Sequence, residues 1–183
     1  MLPDFSNRLS NLIKSMEKTI IPAIDPENGL AKEQAALVIG HLTMLNQQWD
    51  GLYLYECRSF DNMLALAAHL AVNARGGPET TQAEKLLSGL IEELPDVLPL
   101  TAREVNSQTI ELGKQVDELI HASFRDGSSA FKALLSETIL NYAVKQSARE
   151  RVWFRANKLD PDPSDLASME DMLHSDIYKF SPA

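Results

Sequence analysis

Apolar residues recur along the chain at intervals of three and four, and strict alternation of apolar and polar residues is almost absent. The first stripe is formed by Leu2, Phe5, Leu9, Leu12 and Met16. A helix has about 3.6 residues per turn, so this spacing places apolar side chains on one helical face. The chain is therefore predicted to be helical throughout, with proline and glycine marking the ends of helices.

The longest apolar pattern begins at Ala31. Steps of four and three pass through twelve positions, ten of them apolar: Ala31, Ala35, Val38, Leu42, Leu45, Trp49, Leu52, Glu56, Ser59, Met63, Leu66 and Leu70. Such a seam is typical of a helix that packs against partner helices. A straight helix over about 31–73 would be roughly 60 Å long, whereas a compact domain of this size is about 40 Å across. We therefore expect this helix to be kinked, broken or projecting beyond the domain. The two candidate positions for a kink or break are Asp50-Gly51 and the neighbourhood of Glu56 and Ser59.

Turn and capping signals divide the rest of the chain. Thr101 and Glu104 have the spacing of a capping box, in which each satisfies a free backbone donor of the other. Further boundaries are predicted by three segments: Arg75-Gly76-Gly77-Pro78, Asp126-Gly127-Ser128-Ser129 and Asp160-Pro161-Asp162-Pro163. Because most connections are short, the predicted fold is an all-α antiparallel bundle of five to six helices, one of them the long, kinked helix over about 31–73.

Charge distinguishes the C-terminal end from the rest of the chain. Five bases and one acid lie within 145–158, whereas residues 160–183 contain six Asp or Glu and one Lys. Opposite charges on consecutive segments favour pairing between them, within one chain or across a dimer interface. We therefore predict a helical bundle domain over 1–160 and an acidic segment over 161–183, whose short helix packs back on the bundle.

Composition excludes several classes of protein. The chain has 183 residues, of which 44% are hydrophobic, and it has one cysteine and a net charge of −9. That length supports a hydrophobic core without disulfides. Excess acid argues against nucleic acid and anionic membranes as partners, since both attract positive charge. With neither a signal peptide nor a membrane-spanning apolar run in this sequence, the expected location is the cytoplasm.

Motif searches find little that indicates catalysis. Phosphate-binding loops, nucleophile elbows, dinucleotide fingerprints and zinc motifs are all absent from the sequence. Glu118 and His121 have the spacing of a carboxylate-bridged iron ligand pair, and Asp171 and His174 repeat it loosely. Since His121 lies about 200° around the helix from the apolar position Leu119 at ~100° per residue, it points away from the core. We therefore predict neither a metal nor a cofactor.

Glu56 is the strongest anomaly in the pattern, because it interrupts an apolar seam. Charged side chains are rarely buried unless they are paired. Trp49 and Tyr53 lie within two turns of it, and Arg149 falls on the apolar stripe of another helix, which makes it a candidate partner. A buried carboxylate in such surroundings acts as a ligand anchor or a general base. Alternatively, Glu56 is exposed at a bend, pairs with an arginine or fixes helix register.

Two functions follow from these patterns. The first is a non-catalytic interaction or assembly module that forms a homodimer, because an apolar seam extending beyond the domain needs a partner to cover it. The second is a ligand-binding or enzymatic bundle with a polar site formed by Glu56, Trp49, Tyr53 and Arg149. The partner would then be an unidentified small molecule or protein. The sequence favours the first function.

Overall fold

The computed structural model describes residues 4–158 and 160–182, which form an all-α fold as predicted. Leu2, counted in the first apolar stripe, lies outside the described residues. Seven α-helices of six residues or more form there, where five to six were expected: α1 Phe5–Ser15, α2 Gly29–Gln48, α3 Leu52–Asn73, α4 Pro78–Glu92, α5 Ala102–Asp126, α6 Ser129–Trp153 and α7 Met169–His174. Short 3₁₀ turns at Arg155–Asn157, Pro163–Asp165 and Asp176–Tyr178 follow α6 and α7.

The long helix expected over about 31–73 is two helices, which accounts for the higher count. The chain leaves α2 at Gln48 and re-enters a helix at Leu52, with a turn between them. The break therefore falls at Asp50-Gly51, one of the two predicted positions. Glycine has a low helix propensity, about 1 kcal/mol less favourable than alanine, which favours a break at this position. Glu56 and Ser59 both lie within α3.

Helix termini follow the capping signals of the sequence. Thr101 Oγ1 accepts a hydrogen bond from the Glu104 amide at 3.3 Å and donates one to Glu104 Oε2 at 2.6 Å. The first helix continues beyond Ser15 through a wider π-helical turn, Met16–Ile20, and ends at Ala23. Pro22 lies in its last turn, where the missing amide hydrogen and the steric bulk of the ring disturb the preceding turn, which here is the π-helical segment.

Packing divides the chain into two compact units, Met1–Gly51 with Glu150–Met169, and Leu52–Arg149 with Glu170–Ala183. In the first unit α1 packs on α2, and the 3₁₀ turn Arg155–Asn157 also contacts α2. Leu9, Ala35 and Trp153 are buried in this unit. Gln48 is buried too, and its Nε2 donates to the Trp153 carbonyl oxygen at 2.8 Å.

The second unit contains the larger core. Helix α5 packs against both α3 and α4, and the buried apolar residues at its centre include Leu66, Leu70, Leu87, Leu112 and Leu119. The loops that follow α3 and α5 meet through an antiparallel bridge between Gly76 and Gly127. Both helices therefore end at the same side of the unit. Since α4 and α6 start from that side, consecutive helices alternate in direction, as in an antiparallel bundle.

Asp126, at the end of α5, forms hydrogen bonds with the first turn of α4. Its carboxylate accepts hydrogen bonds from the Glu79 amide at 2.8 Å, the Thr80 amide at 2.9 Å and Thr80 Oγ1 at 2.6 Å. The last residue of α5 thereby caps the first turn of α4, whose free amides attract negative charge. The Thr80 hydroxyl and these amides hold the pKa of Asp126 below its ordinary value.

The end of the chain completes the core of the second unit. Phe180 is buried, and its ring meets Tyr142 edge-on at 5.5 Å between centroids. Asn62 holds the backbone there: its Oδ1 accepts from the Phe180 amide at 2.9 Å, and its Nδ2 donates to the Tyr178 carbonyl oxygen at 3.1 Å. The residues after α7 are therefore part of the fold of this unit.

Candidate functional site

Glu56, the anomaly of the apolar seam, is half-buried on α3. Asn106 on α5 donates from Nδ2 to Glu56 Oε2 at 3.0 Å. A carboxylate that accepts a hydrogen bond from a neutral amide has part of its hydration replaced by the protein. This contact explains how α3 accommodates an acid within an apolar pattern.

Tyr53 lies one turn before Glu56 and is exposed. Its hydroxyl donates to the Pro99 carbonyl oxygen at 2.8 Å. A side-chain hydrogen bond with the Cys57 thiol raises the pKa of the Tyr53 phenol. At neutral pH Tyr53 is therefore a protonated donor that tethers the loop before α5 to α3.

Trp49, the third predicted site residue, belongs to the first unit, whereas Glu56, Tyr53 and Arg149 belong to the second. The Trp49 indole packs on the ring of Phe5, with centroids 5.3 Å apart and planes inclined by 56°. It stays 41% exposed. Trp49 thus contributes to an aromatic pair at the surface of the first unit.

Arg149 is the largest side chain with almost no exposure, at 1%. Its NH2 group donates to the Tyr55 carbonyl oxygen at 3.1 Å and to Ser59 Oγ at 3.2 Å, and NH1 donates to Gln146 Oε1 at 3.1 Å. The guanidinium carbon also lies 4.7 Å from the centre of the Tyr55 ring. Cation–π contact and hydrogen bonds together compensate for burial of the charge.

These contacts divide the predicted site. Arg149 reaches Ser59, the second polar exception in the apolar seam, while Glu56 accepts its hydrogen bond from Asn106. The aromatic wall of Arg149 is Tyr55, which the sequence pattern did not single out. Nothing along the chain indicates Tyr55, because its role depends on the position of α6 beside α3.

A cleft on the second unit has the size of a small-molecule site. Its volume is about 290 Å³, and its lining combines apolar side chains such as Leu134 and Phe180 with His69, Glu137 and Lys145. Small-molecule sites in proteins are commonly clefts of a few hundred Å³ with a similar mixture of groups. One lining group is already engaged, because Lys145 Nζ donates to the Ile177 carbonyl oxygen at 2.7 Å.

Helix α2 carries the most unusual surface of the first unit. Four large apolar side chains along it are substantially exposed: Leu30 at 69%, Leu37 at 55%, Val38 at 44% and Leu45 at 49%. Leu30 and Leu37 are separated by one heptad, as are Val38 and Leu45, so the four follow one side of the helix. We refer to these four residues as the α2 face.

Charge is absent from most of this helix. No Asp, Glu, Lys or Arg occurs between Gln34 and Trp49. Solvent-exposed helix surfaces normally carry charged residues, whereas the centres of protein interfaces are depleted in them. The α2 face thus has the composition of an interface rather than of an ordinary helix exterior.

A groove adjoins the α2 face. It has a volume of about 570 Å³ and is lined by Ala36, Leu37, Gly40 and His41, with Glu33 and Asn157 at its edges. A Cβ atom placed on Gly40 would meet nothing within 4 Å. Small residues one turn apart, at Ala36 and Gly40, leave room for the side chain of another helix.

The sequence pattern found this surface in part. Of the predicted seam, Val38, Leu45 and Trp49 are exposed and Ala35 is buried. Leu30 and Leu37 were outside the predicted seam, although they belong to the same face. The charge-free run from Gln34 to Trp49 was the feature of the sequence that could have indicated the whole face. An interface excludes charge from the positions beside the apolar seam as well as from the seam itself.

Arg151, near the basic end of α6, pairs with Asp160, the first acid of residues 160–183. Arg151 binds both carboxylate oxygens of Asp160 at 2.8 Å, and both residues belong to the first unit. This bidentate hydrogen bonding lowers the pKa of Asp160 to about 2. The Asp160 carboxylate therefore remains ionised except in strong acid.

The described residues contain no group of three or more His, Cys, Asp or Glu side chains arranged to bind a metal ion. Within the same part of the chain, no helix combines the length and apolar character needed to span a membrane. No family model matches the chain, and neither a curated protein nor a solved structure matches it.

Proposed function

We propose that this chain is a non-catalytic assembly module that forms a homodimer through the α2 face. The exposure of Leu30, Leu37, Val38 and Leu45, on a helix that carries no charge between Gln34 and Trp49, supports the proposal. Exposed apolar patches on a monomer are costly in water and commonly mark interaction sites. Covering the face with a second chain would remove this apolar surface from water, which is the main driving force of association.

A second copy of the same chain suits this surface because the protruding apolar side chains and the groove that could receive them occur on one helix. In a two-fold dimer each residue contacts the equivalent patch on the other chain, so the patch must be self-complementary. Leu37 of one copy can enter the space beside Gly40 of the other, and the reverse contact follows by symmetry. The net charge of −9 opposes association weakly, because repulsion between exposed charges is screened beyond about 8 Å at physiological ionic strength.

The geometry supports assembly better than chemistry around Glu56. That carboxylate already accepts a hydrogen bond from Asn106, and the guanidinium of Arg149 is engaged with Tyr55 and Ser59. Polar groups that are hydrogen-bonded to neighbouring helices in this way are typical of structural networks that fix one packing arrangement. The α2 face, in contrast, presents groups that gain free energy only when something covers them.

Gly40→Glu tests the proposal without disturbing the core. The new side chain would point into open space at the groove, and glutamate has a higher helix propensity than glycine, so the helix should persist. Light scattering after gel filtration, at tens of micromolar chain, should give a dimer mass for the wild type and a monomer mass for the variant. Circular dichroism would verify that both proteins are folded.

Gly89→Glu is the matched control. Gly89 also lies within a helix, α4, with nothing within 4 Å of an added Cβ atom, but it lies outside the α2 face. The Gly89→Glu variant should therefore remain dimeric. A monomeric wild type, or a Gly40→Glu variant with the dimer mass, would overturn the proposal.

A further inference from the structure

A second, much smaller pocket lies in the second unit where α3, α6, α7 and the end of the chain meet. Its volume is about 10 Å³, measured for the centre of a water-sized sphere. A cavity needs roughly that much space to hold one water molecule. The pocket therefore accommodates a single atom or ion and excludes larger groups.

Arg58 lines this pocket and has an unsatisfied donor. Its Nε atom is buried and has no hydrogen-bond partner within residues 4–158 and 160–182. Buried donors in folded proteins are almost always paired with protein, water or an ion, because an unpaired one loses its hydration without compensation. A charged donor such as a guanidinium N–H makes the strongest demand for a partner.

The charges around the pocket select the sign of that partner. Among the described residues, its lining carries three cations, Arg58, Arg149 and Lys179, against the one carboxylate of Asp61. Arg149 is nearly fully buried, whereas Lys179 and Asp61 are exposed at the rim. Arg149 thus lies deepest of the charged groups and Arg58 is half-buried, and charge away from solvent is less screened.

We propose that this pocket binds a single halide ion, which is chloride under ordinary conditions. The positive lining favours an anion over water, and the small volume leaves no room for a phosphate, sulfate or carboxylate group. A halide is only slightly larger than a water molecule and accepts hydrogen bonds from several directions. Arg58 Nε supplies one donor, and the charge of Arg149 adds electrostatic attraction.

The ion would connect three parts of the second unit. Arg58 is on α3, Arg149 is on α6, and Lys179 is next to Phe180, whose ring completes the core. An anion between cations on separate segments neutralises their mutual repulsion. Bound halide would therefore stabilise the folded chain and hold its last residues against α3.

Thermal unfolding in sodium chloride, sodium bromide and sodium gluconate at equal ionic strength tests this proposal. A ligand that binds only the folded state raises the melting temperature with its concentration. Chloride and bromide should raise the melting temperature above its value in gluconate, and the increase should follow a single-site binding curve. Sodium sulfate stabilises folded proteins generally because it is excluded from their surface, so its effect on the melting temperature should be the same in the wild type and in Arg58→Met.

Arg58→Met removes the unsatisfied donor and its charge while retaining a long side chain. We expect the variant to weaken the apparent halide affinity at least tenfold, while the matched variant Arg103→Met, at an exposed position on α5, stays within about twofold of the wild type. Should Arg58→Met fail to fold, wild-type crystals soaked in bromide give an independent measurement. They should show anomalous scattering within hydrogen-bonding distance of Arg58 Nε.

Three results would overturn the proposal. The first is equal stability in halide and gluconate, which would leave water as the partner of Arg58. The second is a sulfate effect that is lost in Arg58→Met, which would indicate an oxyanion in the pocket. The third is an unchanged halide effect in Arg58→Met, or a bromide peak located away from the pocket.

Discussion

Gly76 and Gly127 show how closely backbone segments approach in the second unit. A Cβ atom on Gly76 would lie 2.7 Å from the Cα atom of Gly127 and 2.7 Å from Thr80 Oγ1. The first of these atoms is backbone and cannot move aside without shifting a loop. Position 76 therefore requires glycine because of the lack of space for a side chain. Its backbone conformation is not the reason, because its φ angle is not in the left-handed region.

Gly76→Ala should destabilise the protein, because the added methyl group forces the two loops apart. Overpacking of this kind costs about 1–3 kcal/mol. Gly89→Ala is the control: the new methyl group meets nothing within 4 Å, and the exchange should stabilise the helix by up to about 1 kcal/mol. Urea denaturation measures both changes, and similar midpoints for the two variants would contradict the expectation.

At the scale of elements, the segment from α7 onward has a larger role than its acidic composition suggests. Met172, Leu173 and Phe180 are buried in the second unit. Two short elements, α7 and the 3₁₀ turn Asp176–Tyr178, bring these side chains into place. Such short turns are marginal by themselves, so their conformation depends on the burial of these apolar residues.

Phe180→Ala should destabilise the second unit strongly. The ring belongs to the hydrophobic core and contacts Tyr142, and truncation of a buried phenylalanine costs about 3–5 kcal/mol. Ile177→Ala, three residues earlier at an exposed position, should change stability by no more than about 0.5 kcal/mol. Equilibrium unfolding would compare them, and a small effect of Phe180→Ala would show that the end of the chain contributes little to the core.

At the scale of the whole molecule, some of the many acidic side chains are held in their ionised form by specific partners. The net charge of −9 includes carboxylates whose ionised form the fold favours, of which Asp160 with Arg151 is the clearest. Because the folded-state pKa of Asp160, about 2, lies below its ordinary value of 3.8, the pair stabilises the folded chain above pH 4. This contribution is lost as the pH falls towards 2.

Asp160→Asn should therefore lower the melting temperature at neutral pH, and the difference from the wild type should close between about pH 4 and pH 2, where the wild-type pair is protonated. The control Asp96→Asn changes an exposed acid in the loop after α4 and should follow the wild type at every pH. Calorimetry across this range measures the effect. A difference that stays constant down to pH 2 would contradict the assigned role of the pair.

The sequence by itself determined the fold class, most helix boundaries and two candidate positions for an interruption of the long helix, one of which, Asp50-Gly51, is where the helix breaks. These features follow from local chemistry: apolar spacing, proline, glycine and capping residues act within one or two turns of the chain. The pairing of Arg151 with Asp160 also joins residues close in sequence, since the two are only nine positions apart. Interactions of this range leave a pattern in the sequence.

The tertiary structure alone decided which polar residues meet. Arg149 reaches Ser59 across 90 residues, Asp126 caps α4 across 46, and Phe180 pairs with Asn62 across 118. Such contacts depend on how helices pack, and a helical pattern specifies the face that is buried without specifying its neighbour. For the same reason the apolar seam of α2 was visible in the sequence, whereas its exposure became apparent only from the packing of the first unit.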